Sequence, residues 1–291
     1  RIQAPSSNDE YLLYQTLIGA WPGSVARLSG NALNEFRERI SGYMLKAVRE
    51  AKVHTSWVSQ NAEYEDALHK FIDAILADAP GNRFLALLDE QARTVARFGC
   101  INSLSQLIIK CTAPGVPDIY QGSEFWNLNL VDPDNRRPVD YVVRESALLD
   151  MSTGSLSAPA WLATGDARVK QFVIRQALSL RAEKPDVFAG PYTALPAFGA
   201  LDRHVIAFAR SQAEDTVVAI ATRLPLTLAG DRSGRWGGVV WRDTEVRLPL
   251  LESGWHWRDT LSDQLHGPSK SLPLASVLHS LPVALLVGER E

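Results

Sequence analysis

The stretch richest in groups that could do chemistry runs from Thr112 to Tyr141. Its first half, Thr-Ala-Pro-Gly-Val-Pro-Asp-Ile-Tyr-Gln-Gly-Ser-Glu, carries a short apolar run into a polar loop at Glu124. Its second half, Leu-Val-Asp-Pro-Asp-Asn-Arg-Arg-Pro-Val-Asp-Tyr from Leu130, sets acids beside arginines. Carboxylates accept hydrogen bonds from hydroxyls, and guanidinium groups donate them in a fixed fork. Asp132, Arg136, Arg137 and Glu124 could therefore grip a polyhydroxylated ligand, with Tyr120 at the end of the apolar run. The same residues also fit a solvated loop in which Arg136 and Arg137 pair with Asp132 and Asp134, an arrangement of small energetic consequence at a surface. Glu124 and Tyr120 fit a supporting position behind a site as well as direct contact.

His54 and Trp57 form a second candidate group, since an indole can stack on a sugar face and an imidazole can donate to a hydroxyl. Packing after a helix end is the competing reading. Trp236, Trp241, Trp255 and Trp257 suit the core of a β structure better than a binding surface, because residues two apart on a strand face the same side. His204, His256, His266 and His279 show no metal-ligand spacing. Cys100 and Cys111, eleven apart in apolar helical sequence, match neither a zinc site nor a redox pair and read as packing residues.

Helices must position most of these groups. Ser7-Asn8-Asp9-Glu10 has the form of a capping box and precedes Leu13, Leu17 and Ala20 at helical spacing, up to Trp21-Pro22-Gly23. From Asn31, an apolar stripe of Leu33, Phe36, Ile40, Tyr43, Met44 and Ala47 predicts a long amphipathic helix. A third helix is expected from Asn61 to the Pro80-Gly81-Asn82 turn. A fourth runs through Leu85 to Val95 and closes at Gly99, and a short fifth covers Ser103 to Lys110. Val116 to Gln121 reads as a short strand between Pro/Gly breakers, and the loop from Gly122 to Pro138 is of a length that is more often functional than idle. Helical sequence returns at Asp140 and from Asp166 to Glu183. Beyond Pro185 the period changes: His204 to Ala209, Thr216 to Thr222, Glu245 to Leu248, Trp255 to Thr260 and Val283 to Val287 read as strands of an antiparallel sandwich. Three segments follow: 1–112, 113–184 and 185–291.

The 291 residues, 46% hydrophobic and 22% charged, have the balance of a soluble globular protein. A formal net charge of -3 gives no global electrostatic basis for binding nucleic acid or an anionic membrane. The longest aliphatic runs, such as Val217 to Ala221, fall far short of the roughly 20 residues that span a bilayer. The chain opens at Arg1 with no signal-like pattern, which reads as a cut inside a longer protein, and the cytoplasm is the expected compartment.

Pro114 to Glu124 resembles the eighth barrel strand and following loop of the α-amylase superfamily, glycoside hydrolase family 13. Leu130 to Tyr141 narrows the resemblance to the maltooligosyltrehalose synthase family. Asn8 to Trp21, Lys52-Val-His-Thr-Ser-Trp57 and Asn102-Ser-Leu-Ser-Gln106 look like the same family, so the likeness extends over essentially the whole chain. It implies an α+β multidomain chain: a helical cluster, the last strand and helix of a (β/α)8 barrel, and a C-terminal antiparallel β-sandwich. It also implies an isomerase, an intramolecular transglycosylase that converts the reducing-end α-1,4 linkage of a maltooligosaccharide to α,α-1,1, by the two-carboxylate retaining logic and without metal or organic cofactor. Asp132, Arg136, Arg137, Glu124, Tyr120, His54 and Trp57 are then the expected substrate-binding residues. The family's catalytic carboxylates follow the fourth, fifth and seventh barrel strands and would precede Arg1, so no catalytic residue is expected here. The expected partners are the maltooligosaccharide and the N-terminal part of the same protein, with neither nucleic acid nor membrane. A noncatalytic glycan-binding or interaction module is the competing expectation. A family 13 amylase or sucrose-acting enzyme is disfavoured by the 131–141 segment.

Overall fold

The computed structural model describes residues 4–22, 28–152, 158–230, 238–251 and 253–290. The chain divides into two compact units, residues 1–96 with 128–138 and residues 97–127 with 139–291.

The first unit is helical. Helix α1 (Ser7–Ala20) is capped by Ser6, whose hydroxyl accepts from the Asp9 amide at 3.3 Å and donates to the Asp9 carboxylate at 2.9 Å. The capping pair thus lies one residue earlier than Ser7 and Glu10, because Glu10 is taken by the Tyr14 hydroxyl. Helix α2 (Gly30–Ala51) buries Leu33, Phe36, Ile40, Met44 and Val48 as one stripe, as its period predicts. Helix α3 (Ala62–Ile75) starts where Asn61 accepts from the Tyr64 amide at 3.1 Å, and it stops short of the Pro80 turn. These stripes meet in one core with Leu13, Leu17, Leu68, Ile72, Leu85 and Leu88.

Helix α4 (Arg83–Thr112) is continuous over 30 residues, where a break at Gly99 was expected. A glycine inside a helix costs about 1 kcal/mol against alanine. That cost is offset because apolar residues continue on both sides of it: Leu88 and Ala92 bury before Gly99, and Ile101, Leu104, Ile108 and Cys111 after it.

In the second unit the end of α4 is joined by α5 (Tyr141–Ser152), α6 (Ala158–Thr164), α7 (Arg168–Glu183) and α8 (Pro185–Ala189). The strands are β1 (Tyr192–Ala194), β2 (Ala197–Phe198), β3 (Val205–Gln212), β4 (Asp215–Thr222), β5 (Glu245–Arg247), β6 (Trp255–Asp259), β7 (Leu265–His266), β8 (Ser271–Pro273) and β9 (Val283–Arg290). They make an antiparallel six-stranded sheet, ordered β1-β3-β4-β9-β6-β7, and a three-stranded sheet, β2-β5-β8. Side chains alternate across a strand. Val217, Ala221, Val283, Leu285 and Val287 accordingly face one core, with Val169, Val173, Ala177 and Leu180 of α7. Val218, Ile220, Ala284 and Leu286 face another, with Val246 of β5 and Leu272 of β8. Burial on both faces explains why β4 and β9 read as unbroken apolar runs. The architecture is α+β, a helical region with two antiparallel sheets, consistent with a partial barrel and a sandwich-like C-terminal domain.

Trp241 and Trp257 are fully buried in the core between the sheets, and Trp255 is half-buried. Trp236 lies outside the described residues. Val116 to Gln121, expected as a strand, enters no ladder. A strand exists only when a neighbour takes its backbone donors and acceptors. Here a side chain takes one of them instead, as Lys110 Nζ donates to the Asp118 carbonyl at 2.9 Å, and just before the segment Arg181 Nη2 donates to the Gly115 carbonyl at 2.9 Å.

Candidate functional site

In the helical unit, the polar loop is held by the solvent-facing side of α2. Arg39 grips Asp134 bidentately, with Nε to Oδ1 and Nη2 to Oδ2 both at 2.9 Å, and also reaches the Leu128 carbonyl at 2.9 Å. The second carboxylate oxygen accepts from the Leu130 amide at 2.7 Å. Burial pushes the Asp134 carboxyl upward, but the hydrogen bonds from Arg39 and Leu130 together outweigh it and hold the group below the usual carboxylate range. Arg137 pairs with the same carboxylate at 3.2 Å and donates to Asn129 Oδ1 at 2.6 Å. Asp132 pairs with Arg136, and Lys46 Nζ binds its carbonyl at 2.7 Å.

The pairing of Arg136 with Asp132 and of Arg137 with Asp134 is therefore what the loop does with its own charges. Both arginines keep exposed faces, with Arg136 side chain 75% accessible. Arg39 and Lys46, unnoticed in the sequence, are seven apart on α2 and so share a face. Their spacing was visible, but their target, some 90 residues on, was not.

His54 and Trp57 sit beside a buried polar cluster in the same unit. His54 stacks on Tyr64, with ring centres 4.6 Å apart. The Tyr64 hydroxyl donates to Asp9 and accepts from the Ser6 amide at 2.9 Å. Trp57 is half exposed and has the Arg49 guanidinium 4.9 Å from its ring centre. Arg49 in turn donates to Glu65 through Nε at 2.9 Å and Nη2 at 2.6 Å, and Thr55 donates to Glu65 at 2.6 Å.

The hydrogen bonds from Arg49 outweigh burial and hold the Glu65 carboxyl below its ordinary value. A depressed carboxylate stabilises the fold above the unfolded value, near 4.3, and that contribution is lost as pH falls through the folded value. Melting temperatures of the native chain and of Glu65→Gln are therefore expected to differ at pH 7 and to converge below about pH 4. A gap unchanged down to pH 3 in thermal scans followed by circular dichroism would remove the ion pair from the stability of this unit.

In the second unit, Glu124 is held by Arg144 at 3.0 Å, and Arg144 also donates to the Gly122 carbonyl at 2.7 Å and the Asp140 carbonyl at 2.9 Å. Its guanidinium lies 4.8 Å from the Phe125 ring centre. Tyr141 donates to Gln121 at 2.9 Å, and Tyr120 is more than half exposed. The missed signal was Arg144 four residues after Asp140, at the start of a helix whose first turn Asp140 caps by accepting from the Val143 amide at 3.1 Å.

Gly122 has φ +85°, and a Cβ there would lie 2.9 Å from Val139 Cγ2. Gly122→Ala is expected to cost about 1–2 kcal/mol in denaturant titrations, because neither the backbone nor the neighbour suits a side chain. Adding Val139→Ala should restore only part of this, since it relieves the contact but not the dihedral angle.

Chemically, these carboxylates are acceptors held by guanidinium groups. They can bind and orient hydroxyls, and at Asp134 and Glu65 the arginine partners favour the ionised form and so oppose a role as proton donor. Among the described residues there is no group of three or more His, Cys, Asp or Glu placed to hold a metal ion.

No family model matches the chain. Proteins of Mycobacterium tuberculosis strains CDC 1551 and H37Rv, provisionally assigned as maltooligosyl trehalose synthase, are each 36% identical to it over 292 residues, 98% of this chain and 32% of theirs. The solved maltooligosyltrehalose synthase from Arthrobacter ramosus matches at TM-score 0.74 and 32% identity, over 96% of this chain and 32% of that one. A hypothetical maltooligosyl trehalose synthase from Sulfolobus tokodaii matches at 0.65 and 26%, over 96% and 32%. Agreement in sequence and fold along nearly the whole chain makes it homologous to these maltooligosyltrehalose synthases. The chain spans about a third of the length of these relatives.

Proposed function

We propose that this chain is the C-terminal part of a maltooligosyltrehalose synthase and serves it by positioning the reducing end of a maltooligosaccharide. The reaction is the intramolecular exchange of the terminal α-1,4 linkage for an α,α-1,1 linkage. A carboxylate nucleophile and a carboxylic acid from the N-terminal part of the protein perform the bond exchange, and no cofactor takes part. Asp132, Arg136, Arg137, Glu124, Tyr120, His54 and Trp57 supply hydrogen bonds and an aromatic face to the sugar. The observation that carries this reading is 36% identity sustained across 98% of the chain. The free cysteines Cys100 and Cys111 suit a reducing compartment, so the cytoplasm is part of the proposal.

Loss of reducing ends from maltohexaose, with product analysis for terminal trehalose, tests it. Activity is expected only when this chain is mixed with the N-terminal part. Activity of the chain alone would overturn the division of labour. Silence in a mixture whose parts are shown to be folded and bound would favour a noncatalytic glycan-binding module.

A further inference from the structure

In the second unit, an open cavity of about 440 Å³ lies where the residues after α4 meet α7, α8 and β3. Pro114, Val116 and Phe188 line it together with Arg181 and Arg210. Arg210 is 2% exposed and donates to the carbonyls of Thr112 at 3.0 Å, Gly190 at 2.7 Å, Pro191 at 3.3 Å and Phe188. Arg181 donates to the carbonyls of Cys111 and Gly115, both at 2.9 Å, and its guanidinium lies 4.7 Å from the Phe188 ring centre.

Every partner that these two cations have among the described residues is thus a carbonyl oxygen or an aromatic face. Carbonyl dipoles account for the placement of Arg210, which ties the end of α4 to α8. They do not neutralise full charges, and a buried charge without a counter-charge is costly. Burial, and then the neighbouring Arg181, both push Arg210 down from its ordinary value, and no acidic group opposes them. Of the five N–H groups on a guanidinium, Arg181 spends only two on these carbonyls.

We propose that this cavity is an anion site for a phosphate monoester, whose dianion matches the two guanidinium charges. Phosphate carries a charge of about −1.5 to −2 at pH 7 with three acceptor oxygens, and arginine is the side chain that reads such groups bidentately.

Calorimetric titration with inorganic phosphate, against sodium chloride and sodium acetate at equal ionic strength, tests the site. Saturable binding is expected, tighter at pH 7.5 than at pH 5.5 because the dianion formed by the second ionisation of inorganic phosphate is far more abundant at the higher pH. Arg181→Gln is expected to weaken it about tenfold or more, and Arg181→Lys less, because lysine keeps the charge but not the fork. Val116 is 94% exposed, so Val116→Glu leaves the core untouched while placing a carboxylate at the rim, and it should also weaken phosphate binding. Equal binding by the native chain and both charge-changing variants would overturn the site, and acetate binding as tightly as phosphate would overturn its assignment to phosphate. Neither outcome bears on the glycan reaction, which the maltohexaose assay tests separately.

Discussion

Asp134→Ala is expected to lower the stability of the helical unit by about 2–4 kcal/mol, the cost of stripping a mostly buried carboxylate from its guanidinium and amide partners. Asp134 is the convergence point of the loop: Arg39, Arg137 and the Leu130 amide all use its two oxygens. Removing it leaves Arg39, only 20% accessible at its side chain, with the Leu128 carbonyl as its remaining hydrogen-bond partner in this loop. The loop should then lose register, because the bonds that hold residues 128–137 to α2 run mainly through this group and Lys46.

The expected signature is faster hydrogen exchange at the Leu130 amide along with the fall in stability. Asp134→Asn retains an oxygen for one donor and loses the bidentate pair, so it should lie between the two. In the assembled synthase that we propose, Asp134→Ala should depress activity more than Arg136→Ala does, although Arg136 is the more exposed and nominally the better placed to touch sugar. The reverse order would make Arg136 the principal contact and Asp134 a bystander.

Local periodicity explains what could be read in advance. The stripe on α2, the run of α7 and the four longer strands β3, β4, β6 and β9 repeat often enough to announce their partners, and each occurs where the pattern places it. Gly99 misled because a single glycine weakens a helix by less than the burial on both sides of it returns. Strands β1, β2, β7 and β8, two or three residues long, are too short for an alternation to register, and they exist because β3, β5 and β6 pair with them. The candidate site was half legible for the same reason. The residue types in the loop pointed to acid and arginine pairing, and Arg136 with Asp132 follows from a spacing of four. The clamp by Arg39 joins residues 95 apart, the stack of His54 on Tyr64 depends on how α2 meets α3, and Arg210 reaches Thr112 across 98 residues. Separations of this kind are set by packing and leave no local trace.

Asp259 carries the other large expected effect. It is 2% exposed at the end of β6, and its carboxylate accepts from the amides of Leu261 and Leu285 at 3.1 Å each and from the Ser262 hydroxyl at 2.6 Å. These bonds tie the β6–β7 turn to β9, in the middle of the six-stranded sheet. Asp259→Ala would strand three donors, two of them buried backbone amides, and is expected to cost about 3–4 kcal/mol. Burial pushes the Asp259 carboxyl above its ordinary value despite these hydrogen bonds. For a raised carboxyl the sign is opposite to that of Glu65. The folded state holds the proton more readily than the unfolded chain, so this group's contribution to stability falls as pH rises from the unfolded value, near 3.9, through the folded one. Asp259→Asn keeps an acceptor for both amides and carries no charge, so it should be far less damaging than the alanine variant and should flatten that pH dependence. Urea titrations of the three proteins at pH 4.5 and pH 7.5 decide the matter. If asparagine proves as destabilising as alanine at both values, the charge on Asp259 is required, and burial is not the dominant influence on it.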